Sequence, residues 1–245
     1  LLVNGRRAGE RRLTFQVGDQ PRTLTLGNPR DFAKAVQQRP PVTLTRVGDS
    51  AVLRFENSLG DRATIAAFDA ALKGALDARA LVIDLRNTPS GGNTDVARAV
   101  IGHFIDRERP YQRHRIPGVE RETTVPRVFV EWVAPRAPRF TGPVAVLGGP
   151  WTGSMGEGLV IGLHAAAGAR TFAPDMGDLL GALHRFPLGI CGATVELGAE
   201  HLSHVDGTPR EAYVADVPLE FGDLNPAGED AALAAALAWL AQQAR

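Results

Sequence analysis

The sequence predicts an α/β fold, and three features carry that expectation. An apolar run, a glycine turn and an amphipathic helix follow one another twice, as ALVIDLR/NTPSGGN/TDVARAV over 80–100 and as PVAVLGG/WTGS/MGEGLVIGL over 143–163. Both runs are continuously apolar rather than alternating, the pattern of parallel strands covered on both faces. With 245 residues and 44% hydrophobic side chains, the chain can bury a sizeable core in one large domain, or in one domain plus a fragment. In such sheets the turns at the carboxyl ends of the strands are where sites form, so the two glycine turns are expected to converge.

The elements follow in order. Residues 11–26 (RRLTFQVGDQPRTLTL) give two β-rich runs around Gly18-Asp19, a hairpin pattern. DFAKAVQQRPP reads as a short helical or irregular link, and VTLTRVGDSAVLRFE as two more strands around Gly48-Asp49. The boundary is placed near residue 42, giving a β-rich segment over 1–41 and a core over 42–245. Ile65, Phe68, Ala71, Leu72, Ala75 and Leu76 recur at steps of three and four, which predicts a helix. Residues 107–139 are rich in Arg and Pro and predict a long excursion with one strand in its middle, its Arg-rich start 107–115 solvated. ARTFAP is the next strand, strand-like pieces follow from 185, and EDAALAAALAWLAQQAR closes the chain as a helix.

Charge and composition exclude several partners. Lys plus Arg and Asp plus Glu each number 27, so no net field is available to hold nucleic acid or an anionic membrane, and a neutral or peptide-like partner is expected. No apolar run approaches the ~20 residues of a membrane-spanning helix. The single Cys191 allows neither an internal disulfide framework nor a Cys-based metal cluster, and nothing calls for a cofactor or a metal. The opening LLVNGRRAG carries no initiator Met and no signal-peptide layout, so the natural N-terminus is expected to be missing or processed.

The chemistry centres on WTGSMGEG. Ser154 lies between a buried run and a helix start, where unpaired N–H groups and the helix dipole favour a developing negative charge. Gly153 and Gly156 permit a sharp turn and close approach of a substrate backbone. Taken alone, a serine there is more commonly a helix cap. NTPSGGN offers N–H groups at Gly91 and Gly92, and a donor from that turn with one at Met155 would make an oxyanion hole. Glu157, three residues after Ser154, suits a capping box or a role in shaping the site. Asp84 and Arg86 suit an ion pair bracing the glycine turn.

DLRNTPSGGN, GPVAVLGGPWTGSMGEGLVIGL and HLSHVDGTPREAYVADV, in that order, resemble the tail-specific, or C-terminal processing, serine peptidases, the group that includes the tricorn core protease. The similarity runs from about Val42 to the end of the chain. It implies a crotonase-like core of ββα units, Ser154 as nucleophile, oxyanion donors at Gly91, Gly92 and Met155, and a polypeptide substrate. It further implies a periplasmic or secreted location and a preceding PDZ domain, of which 1–41 resembles a remnant or a linker.

The sequence departs from that pattern at the general base. Many relatives use a lysine downstream of the serine, but here the stretch is TFAPDMGDLLG and no lysine follows Lys73. The remaining family solution is tricorn-like: a histidine takes the serine proton and a glutamate near the C-terminal end, matched by Glu211, supports the site. A free serine is unreactive without such a base. In that branch the histidine comes from a region this chain does not contain, so the base is expected from a missing part or another chain. His184, His201 and His204 are local candidates, with His204 the possible site support. Two alternatives stand beside a serine endopeptidase. One is a catalytically incomplete peptide-binding module of the same fold. The other is an α/β-hydrolase esterase with Ser154, Asp175 or Asp178, and His201 or His204 in that fold's chain order.

Overall fold

The computed structural model describes residues 11–27, 38–89, 91–189, 191–220, 224–225 and 228–243. The chain divides into two compact units, 1–40 and 41–245. In the first, strands β1 (Arg11–Val17) and β2 (Gln20–Leu26) form the expected antiparallel hairpin, with Gly18 supplying a positive φ of 60° at the turn. Most of the expected link over 31–41 lies outside the described residues.

The second unit is a mixed α/β structure, as the twofold strand–turn–helix pattern predicts. Its central sheet has six strands: β3 (Val42–Val47), β4 (Ser50–Phe55), β5 (Ala80–Asp84), β8 (Val144–Leu147), β9 (Arg170–Ala173) and β12 (Val217–Pro218). Their order is β12-β9-β8-β5-β4-β3, all parallel except β3, which pairs antiparallel with β4. β5 and β8 are buried along their whole length, which is why both read as unbroken apolar runs.

Alternation through the sheet builds two core clusters. Leu53, Leu81, Ile83 and Val146 face one way, together with Phe68 and Leu72 of helix α1 (Ala63–Lys73), Val96 and Val100 of α2 (Thr94–Ile101), and Leu159 and Leu163 of α4 (Met155–Ala167). Val52, Val82, Ala145, Leu147 and Phe172 face the other way, against Ala236 and Leu240 of α5 (Ala231–Gln243). The helix expected through Leu76 stops at Lys73. Gly74 ends it, Ala75 stays buried and Leu76 is exposed.

The excursion over 107–139 is more ordered than its composition predicts. It contains two strands, β6 (Arg109–Arg115) and β7 (Val128–Val133), with the short helix α3 (Pro117–Thr123) between them. With β10 (Gly181–Pro187) and β11 (Thr194–Ser203) they form a four-stranded antiparallel sheet in the order β10-β11-β6-β7. The Arg-rich start is therefore a strand rather than a solvated loop: Arg113 and Arg115 point outward while Tyr111, Gln112 and His114 are buried. Period-two alternation is present there, but arginine and proline obscure it.

One ion cluster joins the carboxyl end of β5 to α5. The Arg86 guanidinium donates to both oxygens of Asp84 (3.0 and 2.8 Å) and to both of Asp230 (2.8 and 2.9 Å). Asp230 also accepts the Leu233 N–H at the start of α5. Burial raises the Asp230 carboxyl, but the Arg86 hydrogen bonds outweigh it and hold the group below its ordinary value. Asp84 and Arg86 are themselves almost fully buried, and removing Arg86 takes the guanidinium from both carboxylates, leaving Asp84 with Arg54 at 3.4 Å. Arg86→Met is expected to cost about 3–5 kcal/mol, read as a lower urea midpoint. Because the Asp230 pKa is depressed, its share of stability is complete above the ordinary carboxylate range and lost as pH falls through the lowered value. Asp230→Asn should accordingly flatten the acid side of a stability–pH curve.

Candidate active site

The two glycine turns meet. Both leave neighbouring parallel strands, β5 and β8, at their carboxyl ends. The Leu85 carbonyl, just past β5, accepts the hydroxyls of Thr88 (2.7 Å) and Thr152 (2.9 Å), one from each turn. Thr152 Oγ1 also accepts the Gly149 N–H at 2.9 Å, and the Thr88 carbonyl takes N–H groups from Gly91 and Gly153, both at 3.4 Å. Both threonines are fully buried. A methyl on Gly156 would lie 2.4 Å from Thr88 Oγ1. Sequence reading passed over these threonines because each looks like an ordinary turn residue.

Gly91 fixes the distance between the turns. Its φ is +64°, and a Cβ there would fall 2.3 Å from Ser154 Cβ, 2.4 Å from the Met155 nitrogen and 2.7 Å from the Gly153 oxygen. Only glycine fits, on conformational and steric grounds alike. Gly92, with φ +150°, abuts Leu59, and the Leu59 N–H and carbonyl bond the Gly91 carbonyl (2.7 Å) and the Asn93 N–H (2.9 Å). Among the described residues, neither the Gly92 nor the Met155 N–H has a hydrogen-bond acceptor in the backbone. Met155 directly follows Ser154, and it is Gly91, one residue before Gly92, that lies against Ser154.

Ser154 itself has φ 49° and ψ −111°, a conformation that a non-glycine residue adopts at a cost of about 1–3 kcal/mol. It stands half-buried at the N-terminus of α4. Two side chains hold its backbone. Glu157 accepts the Ser154 N–H at 2.6 Å, and Arg210 Nη1 donates to the Ser154 carbonyl at 3.1 Å.

Glu157 is 2% exposed and does more than cap the helix. Its carboxylate also accepts the N–H groups of Asp178 (3.0 Å) and Leu179 (3.1 Å), drawing the loop after β9 onto the serine turn. Gly177 packs there too, donating its N–H to the Thr152 carbonyl at 2.8 Å. Burial pushes the Glu157 pKa above the ordinary carboxylate value, opposed by the Ser154 N–H, the Arg210 charge and the two loop N–H donors. Beside this turn lies a cavity of about 700 Å³ lined by Glu157, Ile161, Met176, Arg210, Glu211 and Tyr213, among others. Glu211 is thus brought to the same cavity as Glu157. Its half-exposed carboxylate lies 3.8 Å from His201 Nε2.

None of the six histidines hydrogen-bonds Ser154. His103 pairs with Asp69 (2.9 Å), His114 with Glu131 (3.2 Å) and Glu200 (2.6 Å), His164 with Asp216 (3.2 Å), and His184 with Glu200 (2.6 Å). His204 stacks on Tyr213, with ring centroids 5.4 Å apart, and lines a second cavity with His164. Among the described residues, no hydrogen bond or ion pair joins Asp175 or Asp178 to a histidine, so the chain-order triad of an α/β-hydrolase is not assembled. Lys73 is exposed at the end of α1. Among the described residues, no group of His, Cys, Asp and Glu could hold a metal ion, and no helix is long and apolar enough to cross a membrane.

A sequence model of peptidase family S41 matches residues 46–172, a span that includes both glycine turns. No curated protein matches the sequence. Among solved structures, the chain is similar to a candidate peptidase from Parabacteroides merdae ATCC 43184, with TM-score 0.67, 14% identity, and coverage of 85% of this chain and 68% of that one. It is similar to a photosystem II D1 C-terminal processing protease with TM-score 0.65, 16% identity, and coverage of 91% and 58%. For the tricorn protease the values are TM-score 0.59, 14% identity, and coverage of 98% and 23%. At such identities the likeness is one of fold, and the chain spans little more than half the length of the D1 processing protease.

Two substitutions test this geometry without reference to any reaction. Gly91→Ala should displace the serine turn and cost about 1–3 kcal/mol, seen as a lower urea midpoint. Glu157→Gln leaves at least one of its three N–H donors facing an amide NH2 group. Amide exchange at Asp178 and Leu179 should then speed up, and protection equal to the wild type would contradict the assigned contacts.

Proposed function

The chain belongs to peptidase family S41 and is, by that membership, a serine-type peptidase, and we propose that it is an endopeptidase acting through an acyl-enzyme on Ser154. The contact of Gly91 with Ser154 and Met155 is the observation that supports this most directly, because a second glycine turn lies against the serine turn and a tetrahedral oxyanion calls for donors from two sides. Ser154 Oγ forms a bond to the scissile carbonyl carbon while its proton passes to a general base. The carbonyl oxygen becomes an oxyanion received by the N–H groups of Met155 and of the Gly91-Gly92 turn. The C–N bond then breaks, the base returns the proton to the leaving amine, and water hydrolyses the ester.

We read the α/β core as crotonase-like and the cavity beside Glu157 and Glu211 as the place for part of a polypeptide substrate. Glu211 supports the site from its rim. We place the base outside the described residues, since among them no histidine hydrogen-bonds Ser154 in the contacts of His103, His114, His164, His184 and His201, and His204 Nε2 is buried without a partner. That same observation favours a second reading, a peptide-binding module of this fold that does not cleave.

Ser154→Ala is expected to lower hydrolysis of an unfolded protein substrate by about 10⁴-fold or more and to abolish labelling by a fluorophosphonate. Hydrolysis unchanged in that variant would sink the assignment. Wild-type chain that retains peptide at equilibrium and never cleaves it supports the binding module instead.

A further inference from the structure

We propose that Arg210 is a positioning residue for the reaction at Ser154, holding the nucleophile's backbone from a guanidinium anchored on the four-stranded sheet; the inference rests on Ser154 as the nucleophile. Arg210 is 4% exposed, and among the described residues it makes no salt bridge to a carboxylate. Burying an arginine without a paired carboxylate is costly, and burial accordingly depresses its pKa. The guanidinium still carries its charge, because arginine is not deprotonated in proteins. A protein that tolerates such a cost places the group for what it touches.

What it touches is specific. Nη1 donates to the Ser154 carbonyl at 3.1 Å and Nη2 to Gln112 Oε1 at 2.7 Å. Gln112 is oriented in turn: its amide nitrogen donates to Tyr111 Oη at 3.0 Å and to Glu131, so its oxygen is the end left for Arg210. Gly158 of α4 clears the space, since a Cβ there would lie 2.1 Å from Nη2. Ser154 therefore has its N–H held by Glu157 and its carbonyl shared by Arg210 and the Gly158 N–H (3.0 Å), the two peptide groups that set its unfavourable φ and ψ. The Arg210 charge also opposes the buried Glu157 carboxylate, which would otherwise repel an oxyanion forming at the Met155 N–H. Arg210 need not contact the substrate. It keeps the serine turn in the geometry that aims Oγ, and small misplacements of that kind are expensive in rate.

The test uses wild-type protein that hydrolyses peptide measurably, with the region or partner that supplies the base present, and compares it with Arg210→Met, Arg210→Lys, Gly158→Ala and Ser154→Ala by fluorophosphonate labelling, peptide kcat and KM, and circular dichroism for the folded fraction. Arg210→Met should lower kcat and the labelling rate about 10²-fold per folded molecule, with KM within about twofold. Arg210→Lys, which keeps the charge but not the fork, should recover about tenfold of that loss. Gly158→Ala, whose methyl would meet both Arg210 Nη2 (2.1 Å) and Met155 Cε (2.3 Å), should slow the reaction as well. If Arg210→Met does not fold, the Lys variant decides. Folded variants that label and turn over within about threefold of wild type overturn the role of Arg210 alone. Labelling equal in wild type and Ser154→Ala overturns the nucleophile, and this inference with it.

Discussion

The site depends on the absence of one carbon atom. Gly91 approaches Ser154 and Met155 so closely that a Cβ would overlap both, and this approach makes two separate strand-to-helix turns into one concave feature. Everything around it serves to hold that approach. The adjacent parallel strands β5 and β8 deliver the two turns side by side. Thr88 and Thr152 pin both to the Leu85 carbonyl, and Leu59 grips the glycine turn from behind. A donor at Met155 is of little use to a carbonyl substrate unless a second donor faces it, and the glycine contact supplies that second side.

Strain and burial are concentrated on the same few atoms. Ser154 sits in a backbone conformation that few side chains accept, at a helix start whose free N–H groups attract negative charge. Glu157 and Arg210, both buried, are placed against its two peptide groups, one accepting and one donating. Neither contact is cheap for the fold, because both charges leave water without forming a direct pair. The serine turn is held rigid at the expense of global stability, the distribution expected if Ser154 is the proposed nucleophile and its geometry must be held before substrate arrives.

Much of this arrangement was legible in the sequence, and the reason is locality. The repeated run–turn–helix pattern marked both strands and both turns, because unbroken burial leaves an unbroken apolar string. Ser154, Gly91 and Gly92 stood out through their placement within that pattern. What could not be read depends on partners far apart in the chain. Arg210 looks like one more surface arginine until β6 brings Gln112 to it, 98 residues away. Of the second sheet, the β6–β7 half reads as an excursion with one strand because Arg109, Pro110, Arg113 and Arg115 mask the buried Tyr111, Gln112 and His114. Glu157 reads as a cap or as a residue that shapes the site, and its hold on Asp178 and Leu179 arises only when the loop after β9 folds back.

The cluster of Asp84, Arg86 and Asp230 has a consequence for how the protein comes into being. Its arginine and its second carboxylate are separated by 144 residues. During synthesis, the strand that carries the glycine turn emerges long before the helix that completes the charge balance at its end. Asp84, two residues from Arg86, is close to it from the start, whereas Asp230 must be brought from across the sequence. Contacts of this span close slowly, since the loop entropy is lost before they form. The end of the strand that carries the glycine turn is thus balanced by a carboxylate drawn from a distant part of the sequence, and its charge cluster is among the later contacts to close.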